Sequence, residues 1–189
     1  MRHAHPLRRG DGLAPTDPSL LATPLEFISA DHMRERQICA VIDSMVLTPP
    51  FDRKAARTVL RFLNEEWSDH LRDEAEDLFP LLARRCRPED GIGAAIARIK
   101  CDQDEAAHLL PEMRVTLARC LDAACDLSAQ DRDLLTRFAG HVRRHLLAET
   151  AILLPIARAR LTWRDLTALS HRMRARRGLP PLPEARDAE

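Results

Sequence analysis

The chain has 189 residues, which is enough for one domain with a substantial buried core. Its 29 basic and 29 acidic residues balance, and aromatic residues make up only 4%, with no tyrosine. These totals argue against a nucleic-acid-binding surface, an affinity for anionic membranes and a platform for base stacking. No apolar run approaches the roughly 18 residues that a membrane-spanning helix needs.

The cysteines and the N-terminal residues indicate a cytoplasmic protein. The basic residues near the N-terminus precede no apolar stretch, so residues 1–17 do not resemble a secretory signal. The cysteines form no CxxC pair and are odd in number, and most occupy apolar helical positions, which predicts reduced core thiols. They are Cys39, Cys86, Cys101, Cys120 and Cys125.

The first half of the chain predicts a flexible arm and two helices. Residues 1–22 contain prolines and glycines without periodicity, which is typical of an arm. Thr23–Pro24–Leu25–Glu26 is a capping box with proline at the first helical position. Apolar residues then recur every three or four positions up to Val46. Asp52 can cap the second helix, whose apolar stripe continues to Leu81.

The second half predicts three further helices. The third helix carries an apolar stripe from Ile92 to Ala124. Capping boxes at Ser128–Asp131 and Thr162–Asp165 open a fourth helix and a short fifth helix, which Gly178 ends. The sequence therefore predicts an all-α protein. We expect an antiparallel up-down four-helix bundle at 23–161, an extra helix at 162–178 and a disordered tail at 179–189.

An internal repeat marks the second and fourth helices. Residues 70–80 and 145–155 both have the pattern H-L-x-x-E-x-x-x-L-x-P, at an offset of 75 residues. Residues four positions apart share one face of a helix, so each motif presents an imidazole and a carboxylate together. An approximate twofold relation between the two hairpins would place the motifs opposite each other in the core. The two prolines predict kinks just beyond them.

Histidines and carboxylates on apolar stripes predict a metal site. Buried carboxylates are costly unless a charge neutralises them, and no lysine or arginine lies beside them on these stripes. A pair of metal ions can supply the charge, and a mixture of histidine and glutamate suits iron or manganese. The candidate ligands are His32, His70, Glu74, His141, His145 and Glu149.

This pattern resembles the hemerythrin-like domains, the HHE cation-binding group, and especially its bacterial members. The resemblance covers about residues 24–161 and rests on a histidine in the first helix, HxxxE-x4-F-P in the second and HxxxE-x5-P in the fourth. It implies a non-haem centre, usually of two irons in this family, with ligand positions at His32, His70, Glu74, His145 and Glu149. It also implies roles in binding or sensing oxygen or nitric oxide, in iron handling or in stress defence.

The third helix departs from the family pattern, which places a ligand histidine there. Gln103 lies on the inward stripe, whereas His108 is about 140° round the helix among acidic residues. We expect Gln103 to occupy the histidine position and His108 to face solvent. His141, one turn before His145, either replaces the missing ligand or packs beside a ligand carboxylate. An ExxH motif at Glu105–His108 also matches ferritin-like proteins, but it occurs once and on the outer face.

Three functions remain open at this point. The first is a sensor or carrier of oxygen or nitric oxide, favoured because no acid–base pair beyond the ligands is visible. The second is a di-iron enzyme that reduces peroxide or nitric oxide. The third, motivated by Gln103, is a bundle with a degenerate or mononuclear site.

Overall fold

The computed structural model describes residues 14–182, and these residues form helices and connecting turns. No β-strand occurs in this range, which confirms the all-α class. No helix within it is both long and apolar enough to cross a membrane. Residues 1–13 of the predicted arm and 183–189 of the predicted tail lie outside the described residues.

Helix α1 spans Pro24–Leu47 and begins at the predicted proline. The predicted capping box is wrong, however, because the Thr23 side chain does not cap the helix and instead donates a hydrogen bond to the Leu20 carbonyl at 3.2 Å. Within the predicted arm, Pro18–Ala22 forms a 3-10 helix and Leu21 is fully buried. The folded structure therefore starts before residue 23.

The second long helix of the bundle is interrupted in the middle. It consists of α2 (Arg53–Glu65), α3 (Trp67–Arg72), a π-helical segment at Asp73–Leu78 and α4 (Phe79–Arg85). The carboxylate of Asp52 accepts a hydrogen bond from the Ala55 amide at 2.9 Å, as predicted for an N-cap. We call Asp73–Leu78 the first π segment.

The second half of the bundle has the same organisation, a continuous helix followed by an interrupted one. Helix α5 spans Ile92–Asp122, and α6 spans Ala129–Ala148. A second π segment at Glu149–Leu153 joins α6 to α7, at Leu154–Arg160, and α8 follows at Trp163–Arg176. The predicted capping boxes that open α6 and α8 are confirmed, and Gly178 has a φ of 67° just after α8.

Each π segment ends two residues before a proline of the repeat. The Phe79 amide donates to the Glu74 carbonyl, and the Leu154 amide donates to the Glu149 carbonyl, each five residues back. Proline has no amide to donate and its ring crowds the preceding turn. We attribute the wider turns to Pro80 and Pro155, and the kinks predicted just beyond the motifs remain a prediction.

Two apolar clusters fill the bundle, and a polar layer separates them. One cluster contains Ile38 of α1, Trp67 of α3 and Leu146 of α6, whereas the other contains Ile28, Leu78 and Leu153. Helix α1 packs against α2 and α6, and α5 packs against the same two helices. The residues between the clusters therefore face one another across the centre of the bundle.

Candidate metal centre

Six ionisable side chains fill the polar layer, and each is at most 1% exposed. Five were predicted as metal ligands from the sequence, and the sixth, a carboxylate on α1, was not. They come from α1, from the α3 to first π segment junction and from the α6 to second π segment junction. The residues are His32, Glu35, His70, Glu74, His145 and Glu149.

His32 faces one glutamate from each half of the repeat. Its Nε2 lies 3.3 Å from Oε1 of Glu74 and 3.3 Å from Oε2 of Glu149. Its other ring nitrogen, Nδ1, lies 3.2 Å from the hydroxyl of Thr150. If Nδ1 carries the ring proton and donates it to Thr150, the lone pair of Nε2 points at the two carboxylates.

His70 is oriented by a carboxylate on α1. Its Nδ1 lies 3.2 Å from Oδ2 of Asp31, and its Nε2 lies 3.1 Å from Oε1 of Glu35 and 3.6 Å from Oε2 of Glu74. An ionised carboxylate only accepts hydrogen bonds, so Asp31 favours the tautomer with the proton on Nδ1. This arrangement presents the Nε2 lone pair to the centre of the bundle.

Gln103 connects the two glutamates of the repeat. Its Nε2 donates to Oε2 of Glu74 at 2.7 Å and to Oε1 of Glu149 at 3.1 Å. The expected inward position of Gln103 is therefore observed. His108 is exposed, and its ring lies against the Asp104 carbonyl, again as expected.

The structure does not bring His141 together with the other predicted ligands. Its Nδ1 lies 3.1 Å from Oδ1 of Asp102 and 2.5 Å from a guanidinium nitrogen of Arg144. The His141 side chain is 19% exposed, in contrast to the six residues of the polar layer. Its contacts place it beside Asp102, the residue next to Gln103, and outside the polar layer.

The charges of the layer shift its pKa values in opposite directions. Burial raises the pKa of Glu149, and the negative charge of Glu74 raises it further. Burial also opposes ionisation of Glu74, but the neighbouring His70 and His32 outweigh it and lower its pKa. Burial disfavours the charged form of His70, yet Glu35, Glu74 and Asp31 together raise its pKa well above the usual value. The charge of each of these buried groups therefore depends on the charges of its neighbours.

Several polar atoms of the layer have no hydrogen-bond partner in the part of the chain that the structure describes, and this fits a metal centre. Oε1 of Glu35 lies 3.1 Å from Nε2 of His70 but without hydrogen-bond geometry, and Oε2 of Glu35 lies 3.9 Å from Nε2 of His145, beyond hydrogen-bond distance. Atoms bound at neighbouring positions on one metal ion lie about 3 Å apart, with no hydrogen atom between them. The unpartnered atoms are both carboxylate oxygens of Glu35, both ring nitrogens of His145, Nε2 of His70 and Oε2 of Glu149.

Two groups in the layer have the donor spacing of a cation site. His32, His70, Glu74 and Glu149 each offer one ligand atom, and these atoms lie within 4.8 Å of one another; Asp31, Glu35 and His70 form a second such group. The donors are imidazole nitrogens and carboxylate oxygens, a mixture suited to iron and manganese. The residues of the layer therefore fit a metal centre.

Two surface pockets approach the layer from different sides. The first, which we call the acidic pocket, has a volume of about 190 Å³, and its lining includes Asp31, Glu65, Glu66 and Asp69. The second, which we call the His145 pocket, has a volume of about 360 Å³. Its lining includes Arg98, Asp102, Arg144, His145, Leu147 and Ile152.

The sequence interpretation missed Glu35 and Asp31. Glu35 follows His32 by three residues, a spacing that places both on one face of the helix. It also fills the gap between His32 and Cys39 in the apolar stripe, so periodicity could have identified it. Asp31 carries no comparable signal, because only the folded structure shows its contact with His70.

Comparison with known proteins assigns the family. No curated protein matches the chain. A family model described as the hemerythrin HHE cation binding domain matches residues 23–157, which contain the whole polar layer and both π segments. The chain therefore belongs to the hemerythrin HHE cation-binding domain family.

Proposed function

We propose that the chain binds two iron ions in its polar layer and takes up a small diatomic ligand, oxygen or nitric oxide, as a carrier or sensor. The proposed ligands are His32, His70, Glu74, His145 and Glu149. The observation that carries the proposal is the convergence of fully buried imidazole nitrogens and carboxylate oxygens, four of which have no hydrogen-bond partner among the described residues.

Glu74 is the main argument for two ions. One of its oxygens lies 3.3 Å from Nε2 of His32, and the other lies 3.6 Å from Nε2 of His70. A carboxylate whose two oxygens face two different histidines is placed to bridge a pair of metals. Glu149 faces His32 in the same way, at 3.3 Å. The two halves of the repeat would thus share the ions between them.

The donor set and the fold favour iron in this site. Imidazole and carboxylate donors suit iron, whereas structural zinc sites are usually richer in thiolate. The cysteine nearest in the α1 stripe, Cys39, is buried, and burial raises the pKa of its thiol to about 12, which disfavours the thiolate form. When bound, iron would supply a reversible redox change and a coordination position for the diatomic ligand.

The surroundings of the site favour binding over turnover. Among the described residues, the polar neighbours of the proposed ligands orient them: Thr150 contacts His32, Asp31 contacts His70, and Gln103 contacts Glu74 and Glu149. The amide of Gln103 and the hydroxyl of Thr150 do not ionise near neutral pH. The apolar clusters on both sides keep bulk water away from the layer.

Metal content and visible spectra of the protein from iron-supplemented cells test this proposal. We expect two irons per chain and near-ultraviolet charge-transfer bands that change when azide is added. Titration of the reduced protein with oxygen and with nitric oxide should then give reversible spectral changes. One iron or none in a folded protein would contradict the dinuclear proposal, and steady consumption of peroxide or nitric oxide would identify an enzyme instead.

A further inference from the structure

Glu35 is a buried carboxylate that the repeat does not predict. It lies on α1, one turn after His32, and is fully buried. Within residues 14–182, neither of its carboxylate oxygens has a hydrogen-bond partner. The arginine beside it in the sequence, Arg34, is paired with Glu66 at 2.6 Å. A buried carboxylate in this setting is strongly unfavourable unless something else compensates its charge.

The two oxygens of Glu35 face one histidine from each half of the repeat. Oε1 lies 3.1 Å from Nε2 of His70, and Oε2 lies 3.9 Å from Nε2 of His145. Asp31 contacts His70 from the opposite side of the ring, through Nδ1. The Nε2 lone pair of His70 therefore points toward Glu35, as it would if both groups bound one ion.

The position of Glu35 complements that of Gln103 across the layer. Gln103 donates its amide hydrogens to Glu74 and Glu149, so α5 contributes a donor of hydrogen bonds rather than a nitrogen lone pair. The ion near His32 would have that histidine and both glutamates of the repeat. The ion near His70 would have His70, His145 and one oxygen of Glu74, and Glu35 is the further buried anionic group beside them.

We propose that Glu35 is a metal ligand of the second ion, together with His70 and His145, and replaces the ligand that α5 lacks. The inference rests on the proposed dinuclear function, since it assigns a residue to one of the two ions. The site then contains three carboxylates and three imidazoles, with two of the carboxylates arising from the repeat and the third from α1 alone.

Metal binding by a Glu35→Gln variant tests the proposal. The substitution keeps the size of the side chain and removes its charge. The matched control is Glu105→Gln, which removes a charge from an exposed position on α5. We expect the control to bind two equivalents of Fe²⁺ in anaerobic dialysis. Glu35→Gln should retain one equivalent, with affinity for the second reduced by at least about 10- to 100-fold.

Thermal unfolding with and without Fe²⁺ provides a second readout on the same proteins. Fe²⁺ should raise the Tm of Glu35→Gln less than it raises the Tm of Glu105→Gln, because one binding contribution is lost. Two equivalents bound by Glu35→Gln with unchanged affinity would overturn the assignment and leave the dinuclear function intact. Fewer than two equivalents in the unmodified protein would overturn both.

A crystal structure of the iron-loaded, unmodified protein keeps the proposal testable if Glu35→Gln does not fold. Anomalous scattering locates the irons directly. One iron within about 2.3 Å of a Glu35 oxygen, the range of bonds between carboxylates and first-row metals, would support the assignment. Two irons that both lie outside bonding distance of Glu35 would refute it.

Discussion

The two π segments present related glutamates to the same layer, but their surroundings differ. In the first, Asp73 and Asp77 are buried and pair with arginines at the C-terminal end of α8: Arg176, the last residue of the helix, lies 2.8 Å from Asp77, and Arg177, the residue after it, lies 2.7 Å from Asp73. Arg176 also contacts Asp73, and Arg172 contacts Asp77. The first π segment is therefore held by a network of ion pairs.

The second π segment has no such network among the described residues. After Glu149 it continues with Thr150, Ala151 and Ile152, which are uncharged and exposed. Besides its contacts with the polar layer, this segment contacts Arg36 of α1, whose guanidinium donates to Thr150 at 2.8 Å. The His145 pocket opens beside it and is lined in part by Ala151 and Ile152. The repeat thus places Glu74 in a segment that ion pairs stabilise, and Glu149 in a segment next to a pocket.

This difference indicates that the repeat determines the inward-facing residues, while the outward-facing ones have separate roles. In the first half they secure a C-terminal helix, and in the second half they leave a path to His145. The following predictions test how far the two halves are equivalent.

The largest expected effect is loss of metal from variants of the paired glutamates. Glu74 lies near two histidines, whereas Glu149 lies near His32 alone at comparable distance. We therefore expect Glu74→Gln to retain no iron and Glu149→Gln to retain about one equivalent. Iron analysis of the purified proteins measures the iron that each variant retains, and the exposed Glu112→Gln is the control. Equal losses in both variants would mean that the two halves contribute equally.

Removal of Arg176 should destabilise the fold through the first π segment. Arg176→Ala leaves Asp73 and Asp77 buried with fewer cationic partners, and breaking a buried ion pair costs about 3 to 5 kcal/mol. We expect the free energy of unfolding to fall by about 3 kcal/mol in urea denaturation. Arg164→Ala, an exposed change on the same helix, should stay within about 0.5 kcal/mol of the unmodified protein. An equally small effect for Arg176→Ala would mean that the ion pairs do not brace the segment.

Gln103 links the two halves, and its loss should weaken metal binding without unfolding the protein. Gln103→Leu keeps the volume but removes both hydrogen bonds that orient Glu74 and Glu149. Removal of such an orienting group typically lowers metal affinity by about 10- to 100-fold. Competition with a chelator measures the affinity. The control is Thr116→Val, a buried change on the same helix outside the layer, which should leave the affinity unchanged.

A smaller effect is expected where α8 meets α4. Asp165 accepts two hydrogen bonds from Arg85, each of 2.9 Å, and caps α8; the Arg85 bonds lower the pKa of Asp165 below its usual range. Its stabilisation is therefore complete above the unfolded-state pKa of about 3.9 and is lost as the pH falls through the folded-state pKa.

Asp165→Asn should reduce the unfolding free energy by about 1 kcal/mol at pH 7, comparable to loss of a helix cap. The difference from the unmodified protein should shrink below about pH 4, where Asp165 itself becomes protonated in the unfolded state. Chemical denaturation at pH 7 and at pH 3.5 provides the comparison. A difference that is unchanged between these two pH values would show that the charge of Asp165 is not the stabilising feature.

The sequence predicts the parts of this protein that depend on local spacing. The HxxxE repeat indicated His70, Glu74, His145 and Glu149, and periodicity placed Gln103 inside and His108 outside. The capping motifs at Ser128 and Thr162 located two helix starts. These features follow from residues within one or two helical turns of each other.

Contacts between distant residues could not be predicted in this way. Arg176 and Asp73 are separated by 103 residues, and neither carries a local motif that indicates the other. Periodicity of 3.6 residues cannot reveal a π-helical turn, although the prolines marked where an irregularity would occur. His141 lies one turn before His145 on the same stripe, but it contacts Asp102 instead of the polar layer. Residues one turn apart are slightly rotated about the helix axis, and this small rotation decides which side chain reaches the centre of the bundle.

The acidic pocket and the His145 pocket carry opposite local charges. The acidic pocket is lined by four carboxylates and Arg177, whereas the lining of the His145 pocket contains two arginines and one aspartate. Divalent cations are attracted to the first mouth and repelled from the second, and dissolved salt weakens both fields. Neither field attracts or repels an uncharged diatomic gas. The rate of loading with iron should therefore depend on ionic strength, whereas the rate of gas uptake should not.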